Sequence, residues 1–523
     1  MKHKIKSILT LFILLQSGFT LSAQNKNKTV QEQKELSVIM GRETLDLNPH
    51  TSSFKDEAQI LNSIYEGLFS YNPVTSEPDF AIAQSYKTSR DMLVWTFTLR
   101  QDAFFSDGKP ITSHNVKESW LNLIQTKGAY YSSFLDIIRG AKALRYQKGK
   151  PEDVAIYAKD DYTLSIELTS PQSYLPKILC HHAFSVIDFK DGAFSGPYII
   201  QKHTQSNIVL AKNLKYYAAD SVKIPLINIS FSEDLDNNAY LFNTGKAQIV
   251  FENCNAKKVL DKESLQFEPL FGTYFFFFKT HKDSKISEGV KQALLEAVPW
   301  EDLREGSLFP ATTLIYPVYG YTSPQGLTYT DYDHARFMLN EAKKSLGLKE
   351  DDIIELTFSI PDGESIFSAA RILKDAWGQI GVRVNIQTEH DPNYLNRIET
   401  SDADLFIYTW IGDFPDPVAF LDLFRSDSTL NTSAYSNEEY DSLLKKADCT
   451  KNKSDRMALL NRAEDILLSS GTIIPLTHPV DLNVVNMNEV AGWVPNTLGL
   501  HSFKGLSLKK PASTFKYGII ASN

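Results

Sequence analysis

Hydrophobic and polar positions change their period along the chain, and the changes divide it. Residues 93–99, Leu-Val-Trp-Thr-Phe-Thr-Leu, alternate toward their end and are rich in aromatic and β-branched side chains, which predicts a strand. Asp107-Gly108-Lys109-Pro110 follows with turn chemistry. Across residues 115–123, Val116, Trp120 and Leu123 recur at helical spacing behind the cap candidates Thr112 and Ser113. Residues 161–168 alternate again after an Asp-Asp turn, and Ser195-Gly196-Pro197 breaks the chain before a strand at 198–200. A meander of strands is expected from there to about Phe251.

The second half reads differently. Tyr274 and the four phenylalanines behind it form an apolar run of strand length, the pattern of a strand buried on both faces. Helical patterns at 288–298, 333–346 and 365–380 then alternate with strands at 355–360, 382–387 and 404–408. Such alternation through short loops predicts an α/β domain and a seam near residue 272. No fixed-period repeat runs through the chain.

Length and charge narrow the function. The chain has 523 residues, enough for two or three domains, and 42% hydrophobic against 22% charged residues, which excludes global disorder. Its net charge of -9 comes without a dense Lys/Arg stripe, so no nucleic-acid partner is expected. Lys2, Lys4 and Lys6, the short apolar run 8–15 and the small pair Ser22 and Ala23 have the layout of a cleavable export signal over residues 1–23. Loss of its three lysines would take the formal charge from -9 to -12. Gln24 stands where an acylated cysteine would follow Leu21-Ser22-Ala23, so export without a lipid anchor is expected. Cys180, Cys254 and Cys449 form no CxxC and specify no disulfide framework, although one bridge stays open.

Few residues suggest catalysis. Ser52-Ser53-Phe54-Lys55 fits SxxK, but Lys279-Thr280-His281 lacks the glycine of its companion motif, and there is no GxSxG, HExxH, Walker A or GxGxxG. Successive side chains point apart, so Cys180-His181-His182 reads as packing and surface rather than as a metal cluster. No catalytic residue, metal or cofactor is expected. Of the carboxylates Asp402, Asp404, Asp413, Asp416 and Asp422, most read as solvated turn or cap residues. Asp413 differs because it follows an aromatic strand, where α/β sheets place ligands. From the residues alone it serves equally well as the cap of the next helix or as a partner for a cationic ligand group.

The motifs in order resemble the family 5 extracytoplasmic solute-binding proteins, the oligopeptide and dipeptide receptors of ABC importers. The likeness is carried by Leu47-Asn48-Pro49, Tyr65-Glu66-Gly67-Leu68, Phe105-Ser106-Asp107-Gly108, Phe194-Ser195-Gly196-Pro197-Tyr198, Trp410-Ile411-Gly412-Asp413-Phe414-Pro415-Asp416-Pro417 and Val490-Ala491-Gly492-Trp493. It implies an α/β, two-lobed periplasmic-binding-protein fold of class II type with an extra inserted α+β domain. Lobe I would comprise 24–58, 191–272 and 495–523, the inserted domain II 59–190, and lobe III 273–494.

The resemblance further implies a monomeric periplasmic receptor that holds a short extended peptide between its jaws and delivers it to ABC permease subunits in the inner membrane. Asp413 would pair with the ligand α-ammonium. The edge at Tyr408, Thr409, Trp410 and Gly412 would face an edge carrying Glu43 and Thr44, with Tyr130, Tyr131, Asn253 and Tyr274 as further lining. Ile407 stands where oligopeptide-specific members can carry an arginine for the ligand carboxylate. The alternative within this fold is a non-peptide cargo such as a nickel chelate, haem, a sugar or an antimicrobial compound.

Overall fold

A computed structural model describes residues 35–41, 45–52, 54–281, 284–390 and 394–509. The expected export signal, Glu43 and Thr44 lie outside the described residues.

Three main sheets organise the chain. A seven-stranded sheet runs in the order Leu265–Pro269, Val480–Val485, Ile249–Phe251, Glu35–Met40, Leu226–Phe231, Asn207–Lys212, Tyr198–Thr204. Glu35–Met40 is parallel to both its neighbours, so the carboxyl ends of three strands meet at one edge of this sheet. On one face Ile60, Leu61 and Ile64 of the helix Lys55–Ile64 join Trp493 and Phe503 in a core, and on the other Ala239 and Phe242 cover it. The strand Val480–Val485 comes from the stretch expected in lobe III, yet it hydrogen-bonds inside this sheet.

The five-stranded sheet has the order Val382–Glu389, Ile354–Pro361, Leu405–Ile411, Gly272–Phe278, Ile473–Thr477. Gly272–Phe278 is the phenylalanine strand, with Phe275 to Phe278 all buried, as its continuous apolar run requires. Helices Glu288–Glu296, Tyr332–Ser345 and Glu364–Gly378 stand where helical spacing predicts them. Two further helices, Glu438–Asp448 and Lys453–Ser469, add to those expected from the pattern. The second buries Arg456 and Glu464 beside Leu460 and Leu467, so its inner face is not an apolar stripe. Burial pushes the Glu464 carboxyl up to about 7, and Oε1 accepts the Ile315 amide at 2.8 Å.

An antiparallel four-stranded sheet orders Ala83–Thr88, Val94–Leu99, Thr163–Glu167 and Ile156–Asp160. Helix Ser113–Gln125 covers it, starting in a capping box in which the Asn115 side chain accepts the Thr112 amide at 2.9 Å. The buried side chains of this part and those of the five-stranded sheet form one continuous cluster.

Two chain crossings join the seven- and five-stranded sheets side by side. The Leu270 amide donates to the Pro479 carbonyl at 2.8 Å, and His478 Nδ1 lies 2.8 Å from the Gly272 carbonyl. The three cysteines are all free, Cys180 and Cys254 buried and Cys449 exposed, so the open bridge does not form.

Candidate functional site

The strand Leu405–Ile411 pairs along its whole length with Gly272–Phe278, but its parallel neighbour Ile354–Pro361 meets it only at Leu405 and Phe406. Its carboxyl half therefore runs past that neighbour with one edge unmatched by any described strand. Alternation sorts the side chains. Phe406, Tyr408 and Trp410 share a face: Phe406 stacks on Phe277 at 5.7 Å, Tyr408 stacks on Trp410 at 6.2 Å, and Trp410 Nε1 donates to the Ala419 carbonyl at 2.8 Å. Thr409 and Ile411 occupy the opposite, exposed face, with Tyr274 directly across from Thr409.

At the strand's end Gly412 is required by close approach, because a Cβ there would lie 2.5 Å from the Phe271 ring. The next residues are fixed from several sides. Phe414 stacks on Tyr174 at 5.6 Å and meets the edge of Phe134 at 6.0 Å. Asp416 is 0% exposed, accepts from Arg456 Nη1 and Nη2 at 2.7 Å each, and lies 3.1 Å from Lys177 Nζ, which also donates to the Pro415 carbonyl at 2.8 Å. Burial alone would push the Asp416 carboxyl up, but Arg456 and Lys177 hold it well below the usual carboxylate range.

Asp413, three residues earlier, has the opposite surroundings. It is half-buried, has no hydrogen bond or ion pair among the described residues, and burial pushes its pKa up to about 6. Ionising it in the folded protein costs roughly 3 kcal/mol more than in water, at 1.36 kcal/mol per unit. Asp413 does not cap the following helix; Asp416 Oδ1 accepts the Val418 amide at 3.2 Å instead. Where solvated turn or cap residues are expected, Asp416 has a cap-like bond but is fully buried, and Asp404 is tied into the sheet by the Thr357 amide at 2.8 Å.

Asp413 opens into a cavity of about 350 Å³. The phenylalanine-sheet side supplies Ile411, Gly412 and Asp413, the inserted part Tyr71, Tyr131, His181 and His182, and the first sheet's side Phe54, Lys55 and Leu500. The Tyr131 phenol is pushed up to about 12 by burial and by Asp413, so it stays protonated and able to donate. Its ring lies 4.0 Å from that of His181, which in turn lies tilted 4.2 Å from that of His182. Burial lowers both imidazoles, His182 to about 4, so both are neutral at pH 7. Cys180 does not join them: its Sγ donates to the Pro176 carbonyl. Ser52 Oγ donates to Glu57 Oε2 at 2.8 Å while Lys55 pairs with Glu252 and Asp481, so the SxxK residues form no nucleophile and base pair.

Among the expected lining residues, Asp413, Gly412 and Tyr131 meet in this cavity. Thr409 and Tyr274 share Ile411's face farther along the sheet, whereas Tyr408 and Trp410 point away from it. Asn253 packs against Gly41 where the strands Ile249–Phe251 and Glu35–Met40 end, outside the cavity, and Tyr130 is 68% exposed. Lys55, Tyr71, the two histidines, Leu498 and Leu500 were missed. Lys55 stands out in sequence only within SxxK and the histidines only within Cys180-His181-His182, neither of which points to a cavity wall, and nothing marks Tyr71, Leu498 or Leu500; the fold alone brings them together.

The family model described as bacterial extracellular solute-binding proteins, family 5 Middle, matches residues 77–432. The dipeptide-binding protein DppE of Bacillus subtilis is 26% identical over 513 residues, covering 92% of this chain and 93% of that protein. The unliganded open form of the murein tripeptide binding protein MppA overlays with a TM-score of 0.81 at 23% identity, covering 91% of this chain and 98% of that one. Haemophilus influenzae OppA in complex with RPPGFSPFR gives 0.65 at 19% identity, covering 91% and 99%. The chain has the two-lobed α/β fold of these binding proteins.

Proposed function

Because the chain belongs to the bacterial extracellular solute-binding proteins of family 5, we propose that it captures short peptides in the Asp413 cavity and delivers them to the permease of an ABC importer. The single observation that carries this reading is the half-buried carboxylate without a partner at the end of a strand whose edge is unmatched. A ligand α-ammonium at Asp413 would supply the missing charge, and the free edge of residues 408–411 would pair with the ligand backbone. Such pairing is common to all peptides and leaves side chains less constrained. The names of the relatives, dipeptide-binding and oligopeptide-binding proteins, favour this cargo over a chelate, haem or sugar. No catalytic step is assigned to any residue.

Lobe I is proposed as 24–64, 191–272 and 480–523, the inserted domain as 65–190 and lobe III as 273–479; the expected boundary at 58 moves because the helix Lys55–Ile64 packs Ile60, Leu61 and Ile64 into the first sheet's core. The pairing of Val480–Val485 in the first sheet moves the expected boundary at 494 to the crossing at Pro479. Closure of lobe III on the rest would require ligand contacts on both sides of the cavity. Residues 1–23 are proposed as a cleavable export signal, with the mature, monomeric protein held in the periplasm without a lipid anchor.

Native mass spectrometry of the purified protein tests the cargo. A ladder of co-purified short peptides, exchanged by added tripeptides in calorimetry, is expected. A single non-peptide mass that tripeptides do not displace would overturn the reading.

A further inference from the structure

Behind the cleft cavity lies a second hollow that shares Tyr71, Leu498 and Leu500 with it. It is bounded by the helix Lys55–Ile64, the segment 65–73 and the segment 496–504. Tyr71 stands between the two spaces: its phenol is raised by burial, by Cys180 on the inner side and by Asp413 on the outer.

Glu66 lines this chamber and is only 5% exposed. Its Oε1 accepts from Lys504 Nζ at 2.8 Å and from the Tyr216 hydroxyl at 2.9 Å. Its Oε2 is buried and makes no hydrogen bond of normal length and angle among the described residues, although the Tyr217 hydroxyl, raised first by burial, is close enough to Glu66 to be raised further by its charge. The Tyr217 hydroxyl nearby is 3.2 Å from that of Tyr216. Most other amides in the wall are engaged: Gln59 Oε1 accepts the His501 amide at 2.8 Å, and Asn496 Nδ2 donates to the Leu500 carbonyl at 3.0 Å. The Asn62 amide group and the Ser185 hydroxyl, also in the wall, have no side-chain hydrogen bond among the described residues.

We propose that this chamber is a side-chain subsite of the cleft, which takes a hydroxyl or carboxamide side chain from the ligand's first residue and satisfies Glu66 Oε2 with its donor. The subsite rests on the peptide reading above. The first residue is the one whose ammonium Asp413 would hold, and the shared wall at Tyr71 puts its side chain at the chamber. The required chemistry follows from the lining. Lys504 already balances the Glu66 charge, so a cationic side chain would meet a second ammonium. An apolar side chain of the same shape would leave a buried carboxylate oxygen without a donor, a loss sites built for hydrogen bonding do not recover elsewhere. A carboxamide can donate to Oε2 and accept from Asn62 or Ser185.

The test is calorimetry with tripeptides X-Ala-Ala, where X is Asn, its near-isostere Leu, Lys or Gly. With the wild-type protein, X = Asn is expected to bind at least tenfold tighter than X = Leu or Lys. Asn62→Leu, which fills the chamber without touching the Glu66 ion pair, should bring Asn and Leu within twofold and leave Gly unchanged. Glu66→Gln should also narrow the ratio if it folds. Equal binding of Asn and Leu to wild type, Lys as the best residue, or an unchanged ratio in Asn62→Leu would overturn the subsite. Uniform binding leaves the peptide reading standing, whereas no binding by any tripeptide sinks both.

Discussion

Asp413 and Asp416 are three residues apart in one segment, and their surroundings are opposite. Asp416 is sealed between the inserted part and the phenylalanine sheet, with two cations on it and Phe414 stacked nearby. Asp413 faces the cavity with no partner among the described residues, and burial raises it toward neutrality. A buried carboxylate with its counter-charges supplied is complete in the resting protein, so it serves to hold the segment. A carboxylate partly buried without them is complete only when something else arrives. The anchored residue keeps the unanchored one in place.

The largest expected effect lies on the sealed side. Asp416→Ala leaves Arg456 and Lys177 buried without their acid and should cost about 3–5 kcal/mol in denaturant unfolding. An unchanged midpoint would erase the distinction. Next is the pH response of the ligand-free protein. The folded pKa of Asp413, about 6, lies above its ordinary value of 3.8, so the folded state binds more protons between them. Its contribution should therefore lower stability by roughly 3 kcal/mol as pH rises from about 4 past about 6, a loss absent in Asp413→Asn. Asp416, held below its ordinary value, contributes in the other sense, losing stability only as the pH falls through the acid range. A flat difference between wild type and Asp413→Asn across this range would show that the carboxylate is not desolvated.

A smaller effect concerns affinity. An ammonium needs the ionised carboxylate, so peptide affinity should fall about tenfold from pH 7 to pH 5 in calorimetry, since the ionised fraction falls by that factor around a pKa near 6. The smallest is Tyr130→Ala: an exposed side chain outside the cavity should change stability by less than about 0.5 kcal/mol and affinity less than about twofold. A large loss there would move the site away from Asp413.

Much of this was legible where short-range pattern decides. The phenylalanine strand, the alternation of helices and strands after it, and the placing of Asp413 at a strand end all follow from period and turn chemistry. Asp416 was not legible, because its partners Lys177 and Arg456 lie far away in the chain and its neighbours look like a solvated turn. The helix Lys453–Ser469 escaped for the same reason, its inner face carrying charges neutralised only by the fold. The cavity wall draws on seven separated stretches, so nothing local marked Lys55 or Leu500 as lining; Lys55 stood out only within an SxxK pattern. Tyr408 and Trp410 were expected as ligand-edge residues; their backbone lies on the unmatched strand edge, while their rings point into the packing below.

The claim that Asp413 receives a ligand ammonium is tested most directly by one calorimetric comparison. A tripeptide with a free amino terminus and the same tripeptide N-acetylated are titrated into wild type and Asp413→Asn at pH 7.5. A preference for the free amine of about a hundredfold in wild type, within the range for breaking a desolvated charge pair, is expected, and the variant should lose it while unfolding at no lower denaturant concentration. Equal affinity of wild type for the two peptides, or a preference that survives in Asp413→Asn, would contradict it.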